Sequence, residues 1–252
     1  MCSDYNMTMA AIDNLKYSIT KGGNHFTALG LHFPHLSHRV PLWAVRKYMP
    51  EAGLQPNASG VIPAATNRFV PTGSPDIAQS QEVDGKVALA LPYGKELYNY
   101  TVPSPIDDSF PEWFWSTIRL GYQSAITLTD YHVGLMLDEI DRLGIYNDTI
   151  VVLISDHGWS TGSHRHFAKH MNYDTSTRVT TIIRVPWKTN SIGKHTMATF
   201  ELQDLYKTLA SLAGLEQPPA EWRIDGTDQS ALFDDPSTPL KTVAWSQYDR
   251  CP

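Results

Sequence analysis

Asp156 and His157 stand side by side immediately after an apolar run, Ile150-Val151-Val152-Leu153-Ile154. Carboxylate oxygen suits a hard divalent cation, and a neighbouring imidazole can ligate or donate to a bound anion. Gly158 follows, where a missing side chain lets the backbone approach closely. A competing reading makes Asp156 the cap of the next turn and His157 an ordinary loop residue. Further along come His164, Arg165, His166, Lys169 and His170. In a chain of net charge -6, cations gathered here suit a tetrahedral oxyanion such as sulfate or phosphate. A solvated basic loop is the alternative. Zinc on His164 and His166 is disfavoured, because no cysteine is near and the spacing fits no standard zinc pattern. Trp159 is placed to line a substrate pocket. A second constellation, His32-Phe33-Pro34-His35, carries two histidines around a proline that stiffens the loop.

The elements that must position these groups are legible from periodicity. Thr8 to Thr20 carries Met9, Ile12, Leu15 and Ile19 at helical spacing, stopped by Lys21-Gly22-Gly23. His25 to Leu31 reads as a buried strand that delivers His32 and His35 at its end. From Pro111 to Gly144, apolar residues from Trp113 through Ile140 recur every three or four positions, which predicts a long helix with Arg119, Asp138, Glu139 and Arg142 on its polar face. The run 150–154 reads as a strand buried on both faces. A second strand is expected at Thr181–Val185 and a further helix from Phe200 to Leu212. This alternation is that of an α/β layered sheet, whose ligand site lies beyond the carboxyl ends of parallel strands. It points to residues 155–174.

Composition narrows the function classes. The 252 residues are 42% hydrophobic and 18% charged, so the chain is neither a disordered nor a fibrous polymer. Its acidic balance gives no footprint for nucleic acid. No apolar run approaches the ~18 residues of a membrane span, and Met1–Asn6 lacks the features of a signal peptide. The two cysteines, Cys2 and Cys251, cannot build a disulfide framework. Sequons at Asn6, Asn57, Asn99 and Asn147 tilt towards a secretory route.

Phe26-Thr27-Ala28-Leu29-Gly30-Leu31-His32-Phe33-Pro34-His35 closely resembles the FLAVGYHKPH segment of sulfatases, most nearly the iduronate-2-sulfatase-like members. Ser155-Asp156-His157-Gly158-Trp159, with Gly162, His164, Ala168-Lys169 and Asp174, is similar to that family's second histidine block. Asp130 to Gly134, Leu212 to Leu215 and Ser246-Gln247-Tyr248 match further on. The resemblance implies an alkaline-phosphatase-like α/β fold, a central sheet flanked by helices, that hydrolyses sulfate esters with bound calcium. By that likeness Asp156 and His157 are calcium-side ligands, and Lys169 and His35 are catalytic and substrate-binding groups. Trp159 and His164 join them on the substrate side. A sulfated sugar or glycosaminoglycan is the implied substrate, and a lysosomal or secreted glycoprotein the implied setting.

The chain departs from the family in one decisive respect. The nucleophile there is a formylglycine made from Cys or Ser in a C/S-x-P-x-R motif ahead of the first histidine block. Neither cysteine here has that context, and Ser237-Thr238-Pro239-Leu240-Lys241 has Lys for Arg and follows both blocks. Two early aspartates of the calcium site are missing too, and Phe33 stands where the family has Lys. The expectation is one N-terminally truncated, partial sulfatase domain over 1–252. It has a long proline-rich loop excursion at 36–110 and most of the C-terminal subdomain absent. Such a chain would be inactive alone, with a missing N-terminal portion of the same protein as its partner. The alternatives are a metal-dependent phosphoesterase of the same superfamily and a non-catalytic remnant that binds sulfated glycan.

Overall fold

Helix α1 (Ser3–Lys21) buries Thr8, Ala11, Ile12 and Leu15, the i, i+3, i+4, i+7 face of a helix half in water. It stops where Gly22 and Gly23 take φ of 71° and 82°, conformations that side chains resist. The structure, a computed structural model, describes residues 3–36, 38–48, 112–161, 167–169, 171–238 and 240–248. Most of the expected excursion at 36–110 lies outside them, as do Cys2, Cys251, Asn57, Asn99, His164, Arg165, His166 and His170. The described part of the excursion holds one short helix, α2 (Leu42–Arg46).

The chain divides into two compact units. The first comprises residues 1–143 and 159–169, the second 144–158 and 170–252. In the first, α1 and α2 pack on the long helix α3 (Glu112–Arg142). Leu120, Ala125, Leu128 and Ile140 of α3 are buried, together with Ile12, Leu15, Ala44 and Val45. Arg119 corrects the sequence reading, which put it on the polar face. It is only 2% exposed, because its Nε donates to the Thr161 carbonyl at 2.9 Å. That carbonyl belongs to β2 (Ser160–Thr161), which pairs antiparallel with β3 (Phe167–Ala168). A guanidinium can be buried when such acceptors replace water.

His25–Leu31 forms no strand. Residues 25, 27, 29 and 31 are half-buried while Phe26, Ala28 and Gly30 are exposed, so it has the alternation of a strand without a ladder partner among the described residues.

In the second unit, β1 (Val151–Ile154) pairs antiparallel with β4 (Thr181–Arg184), in the register Val151↔Arg184 to Ile154↔Thr181. The sequence reading of parallel strands buried on both faces is corrected here. Parallel pairing needs a crossover, usually through a helix long enough to cover the sheet. In the described residues between these strands, the unit's only helix is the four-residue α4 (Asp174–Thr177). Ile154 and Ile182 accordingly stay 42% and 58% exposed.

Helix α5 (Leu205–Leu212) ends in a Schellman pattern, with Leu215 N–H donating to the Ala210 carbonyl and Gly214 N–H to that of Ser211. Ahead of α5, the buried Asp204 carboxylate accepts from the backbone N–H groups of Glu201 and Thr227, from Gln229 Nε2 and from Lys241 Nζ. Gly226 is required beside it: its φ is 90°, and a Cβ would stand 2.2 Å from the Gln203 carbonyl oxygen.

Candidate functional site

The histidine loop of the first unit is held from three directions. Phe33 N–H donates to Asp4 Oδ2 of α1 at 2.9 Å, and Thr129 Oγ1 of α3 shares its proton between the Phe33 carbonyl at 3.2 Å and the Ala125 carbonyl at 3.1 Å. His38 Nε2 lies 3.1 Å from the Pro34 carbonyl oxygen. Since a carbonyl only accepts, His38 carries its proton on Nε2. Asp4 is itself fully buried, so its carboxylate is committed to this backbone contact and not to water.

Within the loop, His35 N–H closes a turn onto the His32 carbonyl at 3.0 Å. His35 Nδ1 donates to the Leu36 carbonyl at 2.7 Å, which makes Nε2 the unprotonated nitrogen of the neutral ring. The His32 and His35 rings lie 4.8 Å apart and tilted by 34°. His32 is exposed and His35 half-buried.

His38 also joins this loop to Trp159. Its ring meets Trp159 edge-on at 5.6 Å and Tyr122 at 5.9 Å, while Tyr122 and Trp159 stack at 5.1 Å. Burial pushes the His38 pKa down to about 4; the Pro34 carbonyl opposes that drop and His35 adds to it. The same burial raises Tyr122. Room for the ring exists because residue 121 is glycine: a Cβ there would stand 2.9 Å from His38 Nδ1. A helix interior ordinarily disfavours glycine by about 1 kcal/mol against alanine, and here close approach explains it.

Lys169 follows Ala168, which is fully buried at φ 70° and pairs with Ser160. A side chain in that left-handed region costs on the order of 1 kcal/mol or more, a local strain directly before the candidate oxyanion ligand. Lys169 is half-buried.

Asp156 and His157 belong to the second unit. The Asp156 side chain is 85% exposed, with Oδ1 accepting His157 N–H at 2.9 Å and Oδ2 3.6 Å from His157 Nε2. His157 Nδ1 donates to the Gly158 carbonyl at 2.8 Å, which turns Nε2 towards the carboxylate. Gly158 is needed as expected: its N–H donates to the Ser176 carbonyl at 2.8 Å, and a Cβ would lie 2.3 Å from the Thr175 oxygen. Carboxylate beside imidazole fits a divalent cation in donor type. It does not fit in number, since no group of three or more such ligands occurs among the described residues and calcium takes roughly six to eight oxygens.

Of the predicted site residues, the structure links His35 and Trp159 through His38, and places Asp156 against His157. Asp4, Thr129, His38, Gly121, Tyr122 and Arg119 were missed. The i, i+3 repeat of His32, His35 and His38 was the one signal available for His38.

The sulfatase family profile matches residues 1–215. The chain belongs to the sulfatase family. Human iduronate 2-sulfatase is 30% identical over 98% of this chain and 49% of its own length. Mouse iduronate 2-sulfatase is 30% identical over 86% of this chain and 40% of its own. An ulvan-active sulfatase of Formosa agariphila is 35% identical over 46% of this chain and 22% of its own. This sulfatase chain thus spans about half or less of the relatives it matches. Among solved structures, BT4656 in complex with its substrate D-glucosamine-2-N,6-O-disulfate aligns at TM-score 0.64 and 18% identity. The match covers 99% of this chain and 56% of that one. A putative sulfatase of Bacteroides fragilis aligns at TM-score 0.61 and 19% identity, over 92% and 41%. The fold is the alkaline-phosphatase-like one of sulfatases. No helix among the described residues is long and apolar enough to cross a membrane.

Proposed function

We propose that these 252 residues carry the sulfate-recognition part of a sulfuric ester hydrolase acting on a sulfated sugar, of the iduronate-2-sulfatase kind. The observation that carries this reading is the clamped histidine loop: three side chains from separate parts of the first unit fix the backbone just before His35. Fixed placement of a group facing an anion is what differential stabilisation of developing charge requires. His35 and Lys169 then bind the sulfate oxygens, His164 adds a further donor, and Trp159 forms a wall against the sugar. Asp156 and His157 of the second unit are the expected calcium-side pair, two ligands of the several that the ion takes.

Within these residues no C/S-x-P-x-R motif supplies a nucleophile. The expected outcome for the purified chain is therefore binding of sulfate esters without turnover. Asn6 and Asn147 are exposed, which supports carbohydrate attachment and a lysosomal or secreted setting.

The test is titration of the full chain with a fluorogenic aryl sulfate and, separately, assay for its hydrolysis. Binding that weakens in Lys169→Ala, with no product released, agrees with the reading. Absence of binding ends the recognition role, and turnover abolished by Asp156→Ala ends the inactivity.

A further inference from the structure

Two candidate substrate contacts, His35 and Trp159, are far apart in sequence, and one side chain touches the supports of both. We propose that His38 is a positioning residue: its Nε2–H holds the Pro34 carbonyl, one residue before His35, while its ring braces the Tyr122–Trp159 stack, so that one imidazole sets both groups. This rests on the function proposed above and names how that site is kept in register.

The geometry supports the role at each end. A hydrogen bond to the Pro34 carbonyl fixes the peptide that leads into His35, and Asp4 and Thr129 already hold Phe33 one residue earlier. The His35 N–H of the same peptide closes onto the His32 carbonyl, and the His38 contact fixes its other polar end, the Pro34 carbonyl. On the other side, rings at 5.6 Å and 5.9 Å from His38 pin an edge-on wedge against two aromatic faces, an arrangement favoured by the aromatic quadrupole. The ring sits over Gly121, where a Cβ would stand 2.9 Å from its Nδ1. A neutral imidazole suits both tasks, because it offers one N–H to the carbonyl and a flat apolar edge to the rings.

The test uses the full chain carrying ring-labelled histidine, with the His35 signal assigned by His35→Gln. His38→Phe keeps a ring in the notch and deletes the donor; His38→Gln restores a side-chain N–H; Gly121→Ala leaves His38 intact and displaces it. The expected result is that His38→Phe and Gly121→Ala shift or broaden the His35 signal and weaken binding of 4-methylumbelliferyl sulfate by about tenfold, as loss of alignment does. His38→Gln should bring the His35 signal back towards the wild type. Gly121→Ala covers the case in which His38→Phe does not fold, since alanine favours a helix interior. An unmoved His35 signal in both disruptive variants overturns the positioning role, and so does a His38→Gln variant as disturbed as His38→Phe. If the wild type binds no sulfate ester yet the His35 signal moves as described, the functional reading fails and the positioning role stands.

Discussion

Replacing His38 by phenylalanine removes one ionisable group from the packed rings while keeping its shape. In the native chain, burial lowers the His38 pKa from 6.5 to about 4, with the Pro34 carbonyl opposing and His35 reinforcing the drop. Between those values the unfolded chain binds a proton that the folded chain refuses. Folding stability therefore rises with pH across this window; on acidification it is lost below 6.5, and the loss levels off near 4. Integrating that linkage from about pH 7 to about pH 4.5 gives roughly 2 kcal/mol, an upper figure for a half-buried ring. The assay is urea unfolding of the wild type and His38→Phe at both pH values. The wild type should lose about 2 kcal/mol more than the variant over that interval. His132, lowered by burial against the raising influence of Asp4, acts in the same direction. It is present in both proteins, so it cancels in the comparison. The carboxylates held below their usual range, Glu201, Asp204 and Asp228, cancel likewise. A difference between the two proteins smaller than about 0.5 kcal/mol would refute the claim that His38 is neutral because it is desolvated.

Four other outcomes follow from contacts of the same kind. Asp4→Ala should cost about 1–3 kcal/mol by leaving the part-buried Phe33 N–H unpaired, read as faster hydrogen exchange at that amide, whereas Asp4→Asn retains an acceptor and should cost less. Gly158→Ala places a Cβ 2.3 Å from the Thr175 carbonyl oxygen and should lower stability by about 1–3 kcal/mol through forced backbone movement, measured by thermal unfolding. Asp204→Ala strands the N–H groups of Glu201 and Thr227 while leaving Lys241 its Glu201 partner, and should cost about 3 kcal/mol. Arg142→Ala breaks an exposed pair with Glu139 and should change stability by under about 0.5 kcal/mol.

The sequence alone determined the two long helices and where they stop, because the information is local. The 3.6-residue spacing of α1 and α3 lies within a few turns, and Gly22 and Gly144 announce their stops by adopting positive φ. The need for glycine at 158 was equally readable, since a carboxylate, an imidazole and a glycine after an apolar run call for a tight backbone approach. Tertiary structure decided the direction of strand pairing: β1 and β4 are joined through a segment whose described residues hold no helix longer than four residues, and no local pattern records that they meet antiparallel. It also decided which polar groups were buried. Arg119 and Asp4 look like ordinary surface charges by spacing, but their acceptor and donor, Thr161 and Phe33, lie 42 and 29 residues away. Contacts across such separations depend on where the chain returns, and a window of one or two helical turns carries no record of that.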